Sequence, residues 1–349
     1  PADETLIESS VTDKVVMVTG AGGSIGSELC RQILIRKPKI LIILEQSEYS
    51  LYSIDREFKS NPMNAEIIPV LCDVLRTDEV KSIINKYQVD SIYHAAAYKH
   101  VPLVESNIVS GITNNVFGTL SVLKAIQDTS VKKFILISTD KAVRPTNVMG
   151  ATKRIAEMLV QCYANKSQGT IYSMVRFGNV LGSSGSVIPL FKEQIKAGGP
   201  ITVTHPDITR YFMTIPEAAE LVLQAGAMAT GGELFVLDMG EPVKIVELAK
   251  NMIRLSGFTV RDQDNLDGDI EIKFVGLRPG EKLYEELLIA NISSRTEHPR
   301  IMKATEESLE TTELIGLIEQ MKMCCDQSND VRAKELIQKM VINYNEAKH

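Results

Sequence analysis

The chain has no tryptophan, five histidines, five cysteines and only 5% aromatic residues in a length of 349. Cys30, Cys72, Cys162, Cys324 and Cys325 are odd in number and scattered, without Cys-x-x-Cys or Cys/His ligand spacing. They indicate neither a disulfide framework nor a metal site, and they suit a reducing compartment. No stretch approaches the ~18–20 uninterrupted apolar residues of a membrane span, and no charged-then-apolar leader precedes the first strand. The chain as given therefore reads as soluble and unexported, although it begins at Pro1 without a methionine and what precedes it is left open. Positive charge is not in excess: Lys+Arg number 38 against 44 Asp+Glu, a net charge of -6, which disfavours nonspecific nucleic-acid binding. With 22 Gly and 13 Pro the chain is not collagen-like, and 44% hydrophobic residues exclude a disordered one.

What is present is an alternation. Short apolar runs at 15–18, 40–44, 67–71, 91–93, 134–137 and 172–175 are separated by amphipathic, helix-patterned stretches. Continuous β-branched runs of this kind predict strands buried on both faces, hence a doubly wound α/β fold around a parallel sheet. After about residue 178 the regularity changes, with Gly182-Ser183-Ser184-Gly185 and Gly198-Gly199-Pro200 as turns. The expected organisation is a nucleotide-binding domain over residues 1–177, a smaller C-terminal substrate-binding lobe over 178–305 with some segments returning to the sheet, and a helical cap over 306–349.

Gly20, Gly23, Ser24, Ile25 and Gly26 follow the first run directly and open a helix with Ile25, Leu29 and Ile33 on one face. Glycines there permit a tight turn, a close backbone approach to a pyrophosphate and free N–H groups at the helix start. Glu45 ends the second run, 19 residues beyond Gly26, where a carboxylate favours free ribose hydroxyls and repels a 2′-phosphate, so NAD is expected over NADP. Asp73 and Val74 end the third run, within reach of an adenine.

The glycine turn, His94-Ala95-Ala96-Ala97, Asn115 and Lys153 together resemble an extended short-chain dehydrogenase/reductase of Rossmann type. More narrowly, the segment from Ser138 to Arg154, with Arg210-Tyr211-Phe212-Met213-Thr214 and Arg278-Pro279-Gly280-Glu281-Lys282, is similar to the large bacterial UDP-N-acetylglucosamine 4,6-dehydratases. The superfamily pattern is Tyr-x-x-x-Lys, in which a tyrosinate of lowered pKa removes a hydroxyl proton. Here Lys153 is present but Met149 holds the tyrosine place, and a thioether is no base; the resemblance implies that acid–base work has moved.

The resemblance assigns Lys141 as base for the proton on sugar carbon 5, Asp140 as acid for the hydroxyl leaving carbon 6, and Thr139 as partner of the carbon 4 hydroxyl. These roles need a neutral lysine and a protonated carboxyl, which burial or neighbouring charge can supply. NAD contacts are expected from the glycine turn, Glu45, Asp73, Val74, Ala95, Ala96, Asn115 and Lys153. The sugar nucleotide is expected to meet Lys99, His100 and Asn179, with Arg210 and Arg278 clamping its diphosphate and Glu281 its ribose. The resemblance also implies a homo-oligomer and a cytoplasmic catalytic domain, which larger family members tether to the inner membrane by amino-terminal helices. The competing readings are a nucleotide-sugar 4-epimerase, which needs no acid at carbon 6, and a noncatalytic NAD-binding sensor.

Overall fold

The computed structural model describes residues 3–60, 65–263, 265–287 and 293–345. Each apolar run of the first half forms a strand: β1 (Val15–Thr19), β2 (Ile40–Glu45), β3 (Glu66–Leu71), β4 (Ser91–His94), β5 (Lys133–Ile137) and β6 (Ile171–Arg176). Three later strands, β7 (Leu234–Leu237), β8 (Ser293–Arg295) and β9 (Ile301–Ala304), join the same nine-stranded sheet in the order β3-β2-β1-β4-β5-β6-β7-β9-β8. Pairing is parallel from β3 through β7 and antiparallel for β9 and β8. The strand order reverses between β1 and β4, which opens a crevice beyond their carboxyl ends. The expectation of burial on both faces fails for β3. As an edge strand it is only half covered, Leu71 is 53% exposed, and Pro69 is tolerated because its missing N–H faces no further strand.

Two apolar layers cover the sheet. One holds the helices Thr77–Tyr87, Gly118–Ile126 and Val148–Lys166, joined by Leu314, Ile318 and Met321 of Thr311–Asp326 and by Leu336, Ile337 and Met340 of Asp330–Met340. The other holds Ser24–Ile35 and Ile215–Met228. The amine of Lys133 at the start of β5 donates to the Gly226 and Ala227 carbonyls, 3.0 Å each, and so closes the C-terminal end of the second of these helices. A separate small core of Phe191, Ile195, Ile201, Val203, Ile208, Ile245, Ala249, Ile253 and Ile270 builds a smaller lobe from segments that follow β6 in sequence. Helix Ile215–Met228 and β7, although they lie between the lobe's segments in sequence, belong to the main sheet layers. All five cysteines are free and buried. Among the described residues no helix is long and apolar enough to cross a membrane, and no group of His, Cys, Asp or Glu is arranged to hold a metal ion.

Candidate active site

The glycine turn leaves β1 at the crevice. Gly20 has φ of 66°, and a Cβ there would lie 2.7 Å from the Ala96 Cα. A Cβ on Gly26 would lie 2.0 Å from the Gly20 carbonyl oxygen, so neither place admits a side chain. Helix Ser24–Ile35 starts at Gly23 with no side-chain cap, which leaves its first N–H groups to a ligand. Glu45 accepts three backbone N–H groups: Gln46 and Ser47 on Oε1 and Gly22 on Oε2, all at 3.0 Å. A carboxylate offers about four acceptor places, so Oε2 retains one for a ribose hydroxyl. Asp73 turns Oδ1 to the Leu75 N–H at 2.9 Å, and the Val74 side chain is buried, which leaves Val74's backbone to meet a base. These groups suit a dinucleotide.

The Asn115 side chain is engaged by protein. Its Oδ1 accepts from the Tyr98 N–H and the Asn114 amide, and its Nδ2 donates to the Tyr98 carbonyl and Thr152 Oγ1, at 2.7 to 3.1 Å. Every bond its side chain can make goes to protein, so its amide braces the chain after β4. It sits in the π-helical turn Thr113–Phe117, whose extra residue aims it across at Tyr98. His94 is equally spent, held between Thr19 Oγ1 at 2.7 Å and Thr119 Oγ1 at 3.2 Å, and burial lowers its pKa to about 3.

The chemical end is built by backbone pairing that outlasts the strands. The Ser138 N–H donates to the Val175 carbonyl and the Asp140 N–H to that of Phe177, so residues 138–140 remain locked to the chain after β6. Thr139 then caps the 3-10 turn Asp140–Ala142. Asp140 is fully buried; its Oδ1 accepts from Lys141 Nζ at 3.0 Å and Thr139 Oγ1 at 2.9 Å. Its Oδ2 has no partner, and a Cβ on Gly178 would come within 3.2 Å of it. Gly150 lets helix Val148–Lys166 press against this turn, since a Cβ there would lie 2.1 Å from the Lys141 carbonyl oxygen.

Met149 is buried in the main apolar layer, and Lys153 follows one turn later. Burial lowers the Lys153 pKa to about 8, opposed in part by Glu157, and among the described residues its amine makes no hydrogen bond. An amine so placed is available to a bound group.

Among the residues expected to meet the substrate, Asn179 Oδ1 accepts from Lys141 Nζ at 3.3 Å. Arg210 reaches Glu281 at 3.3 Å, and Glu281 also accepts from the Arg278 N–H. The Arg278 side chain is exposed and makes no ion pair among the described residues. The His100 ring lies under the 182–185 turn, where a Cβ on Gly185 would be 2.3 Å from its Cε1, and burial lowers the pKa of both Lys99 and His100. The same turn reaches the glycine loop through the Ser184 N–H and Ser24 Oγ, 3.3 Å apart.

Sequence reasoning missed Glu285. It is 7% exposed, with Oε1 3.7 Å from Lys141 Nζ and 3.8 Å from Arg210 Nε, and with Oε2 unpartnered. Nothing local separates it from the neighbouring Glu286, which is half-buried and pairs with Arg144. What selects it is docking of the 278–286 segment on the 143–147 loop, through Lys282 to the Val143 carbonyl and Thr146 and Asn147 to that of Gly280. Glu285 also changes the expectation for Lys141. Burial, the largest single influence, pushes that amine toward neutrality, yet Asp140 and Glu285 together outweigh it and hold Lys141 above the ordinary lysine range.

A parallel sheet with its crevice at the β1/β4 reversal, a glycine turn and a lysine one turn into the helix after β5 define the short-chain dehydrogenase/reductase fold. The chain belongs to the polysaccharide biosynthesis protein family, whose model matches residues 16–306. It is 52% identical to the capsular polysaccharide biosynthesis protein CapD of Staphylococcus aureus over 91% of this chain and 52% of that protein. It is 37% identical to the UDP-glucose 4-epimerase of Rickettsia massiliae over 79% of this chain and 78% of that one. The crystal structure of Pen from Bacillus thuringiensis superposes with a TM-score of 0.75 at 34% identity, covering 89% of this chain and 98% of that one. The chain spans about half the length of the first curated relatives it matches.

Proposed function

We propose that this chain is an NAD-dependent nucleotide-sugar 4,6-dehydratase, converting UDP-N-acetylglucosamine to the 4-keto-6-deoxy sugar nucleotide for bacterial surface polysaccharide or protein glycan synthesis. The observation that carries the reading is the Thr139–Asp140–Lys141 hydrogen-bonded group, buried at the carboxyl end of β5. An epimerase has no use for a separate acid and base there. The glycine turn and Glu45 would hold NAD, which would supply the hydride acceptor and donor that carbons 4 and 6 require. The residues move the protons. The Thr139 hydroxyl, bonded to Asp140 Oδ1, receives the carbon 4 hydroxyl proton as it hands its own to the carboxylate. Asp140 is then the protonated acid that the hydroxyl leaving carbon 6 requires, so no tyrosine is needed and the proton account closes with one water released. Lys141 in its neutral form takes the carbon 5 proton, which the ketone at carbon 4 has acidified, and returns it once carbon 6 is reduced. Arg210 and Arg278 supply forked donors to the diphosphate, and Glu45 offers its free acceptor to the adenosine ribose.

Incubation with NAD and UDP-N-acetylglucosamine, followed by product mass and proton NMR, tests this. Loss of one water with deuterium passing from carbon 4 to the new methyl group is expected. An isomer of unchanged mass would make the protein an epimerase, as the Rickettsia relative is named, and no turnover with NAD bound would favour a sensor.

A further inference from the structure

Glu285 is a buried carboxyl without a structural task. Glu281 is occupied by Arg210, Thr204 and the Arg278 N–H, and Glu286 by Arg144 and Lys282. Glu285 approaches two cations at 3.7 and 3.8 Å, beyond a good hydrogen bond, and leaves Oε2 unpartnered. A buried carboxylate with bonds unmade is costly unless it takes a proton.

The dehydratase reading leaves one proton unplaced. Lys141 is held as the ammonium, and an ammonium removes no proton. Asp140 cannot relieve it, because Asp140 is needed for the proton from the carbon 4 hydroxyl; two protons require two carboxyls. Resting on that reading, we infer that Glu285 takes the proton from Lys141 when the sugar nucleotide binds, so that amine and carboxyl hold one proton between them. One N–H bond of the ammonium breaks and one O–H bond forms at Glu285 Oε1. The pair has zero net charge in both forms, and the proton returns to Lys141 after product leaves.

The charged groups facing Glu285 are Lys141 and Asp140 from the 3-10 turn, Arg210 from strand Thr209–Arg210, and Lys282 from its own segment. Burial pushes the Glu285 pKa up, Lys141 opposes this and Asp140 adds to it, while Arg210 and Lys282 favour the ionised form. A diphosphate that engages Arg210 removes part of that opposition. Substrate binding thereby raises the proton affinity of Glu285 and frees the base only when the sugar is present.

The test uses the NAD-loaded protein, UDP-N-acetylglucosamine, and the variants Glu285→Gln and Glu285→Asp. Water loss and deuterium wash-in at carbon 5 of the 4-keto product are followed from about pH 6 to about pH 8.5. Transfer inside the pair leaves total charge unchanged, so the unmodified protein should show a flat profile. Gln accepts no proton, so Lys141 must lose its own to solvent, and carbon 5 exchange should climb roughly tenfold per pH unit. Asp restores a carboxyl and should restore the flat profile, a rescue that a merely structural side chain would not produce. Melting temperature and NAD binding identify any variant that fails to fold. A flat Gln profile at any rate, with water loss by the unmodified protein, overturns the inference alone. No water loss by the unmodified protein overturns the dehydratase reading and the inference with it.

Discussion

Two buried charged clusters lie side by side at the carboxyl ends of β5 and β6, and they are built in opposite ways. In the first, Glu157 meets the forked guanidinium of Arg176, Arg154 at 3.1 Å and the Ser138 hydroxyl at 2.6 Å, and Arg176 and Arg154 also pair with Glu306. In the second, Asp140, Lys141, Glu285 and Arg210 stand 3.0 to 3.8 Å apart and leave two carboxyl oxygens unpartnered. Both glutamates are deeply buried, yet their proton affinities move in opposite directions. For Glu157 burial pushes the pKa up, but Arg176, Arg154 and Ser138 outweigh it and hold the carboxyl below the usual range. For Glu285 the looser contacts do not outweigh burial, and the pKa rises. Saturated bonding fixes charges in place; incomplete bonding keeps them able to exchange protons. Ser138 belongs to the first cluster and Thr139 to the second, so the saturated one is the mount for the under-bonded one.

The comparison breaks most visibly at Asp140 and Lys141. Asp140→Asn and Lys141→Met should each lower the rate of water loss by about 100- to 10,000-fold, with NAD binding and melting temperature nearly unchanged because both changes remove charge from an under-bonded place. Near-normal dehydration by product mass in both would send the proton carriers elsewhere. Glu157→Gln should do the reverse in kind. Breaking a buried pair costs about 3–5 kcal/mol, so denaturant unfolding should show a large loss of stability, and activity should fall only with the folded fraction. A fully stable Glu157→Gln protein would mean that the cluster is not a mount.

Arg278 is the exposed member of the proposed diphosphate clamp. If its free guanidinium holds the diphosphate equally in ground and transition states, Arg278→Ala should raise KM with kcat little changed. Loss of a charge-assisted contact is worth about 1.5–3 kcal/mol, roughly one to two decades in affinity. An unchanged KM would leave Arg278 a surface charge.

His94 sharpens the contrast as a fully bonded group held neutral. Its folded pKa is depressed to about 3, so below the unfolded value of about 6.5 the unfolded chain takes up a proton that the folded one refuses. The contribution is complete above about pH 6.5 and is lost as pH falls toward 3; at pH 5 the loss is on the order of 2 kcal/mol. Denaturant unfolding at pH 7 and pH 5 should show a smaller difference for His94→Gln than for the unmodified protein. Equal differences would show that the imidazole protonates without unfolding. Met149→Ala should have the mildest effect on chemistry, a packing loss read in melting temperature with the pH profile unmoved.

The division between local and distant information explains what was legible. Strands β1 to β6, the glycine turn and Glu45 are each specified within about 25 residues, by an apolar run, by steric room for a turn and by the carboxylate that ends β2. That Asp140 and Lys141 are more than a surface ion pair was suggested only by a long motif, since an Asp-Lys pair by itself reads as one; the burial of Asp140 comes from the fold. The bracing bonds of Asn115 were not legible because its partners, Tyr98 and Thr152, come from two other elements, and only their joint geometry exhausts its amide. The edge position of β3 was invisible for a similar reason, because an apolar run records that it pairs and not how many neighbours it has.

By itself the sequence determined the alternating fold, the position and chemistry of the dinucleotide turn and the loss of the superfamily tyrosine, because each depends on the order and size of adjacent side chains. Tertiary structure alone decided which of the four charged residues in 281–286 comes within 4 Å of Lys141, that Lys141 is held above the ordinary lysine range, and why burial is outweighed at Glu157 but not at Glu285. Those outcomes depend on burial and on distances of 3 to 4 Å between groups more than a hundred residues apart, where a shift of a few tenths of an ångström separates a made hydrogen bond from an unmade one.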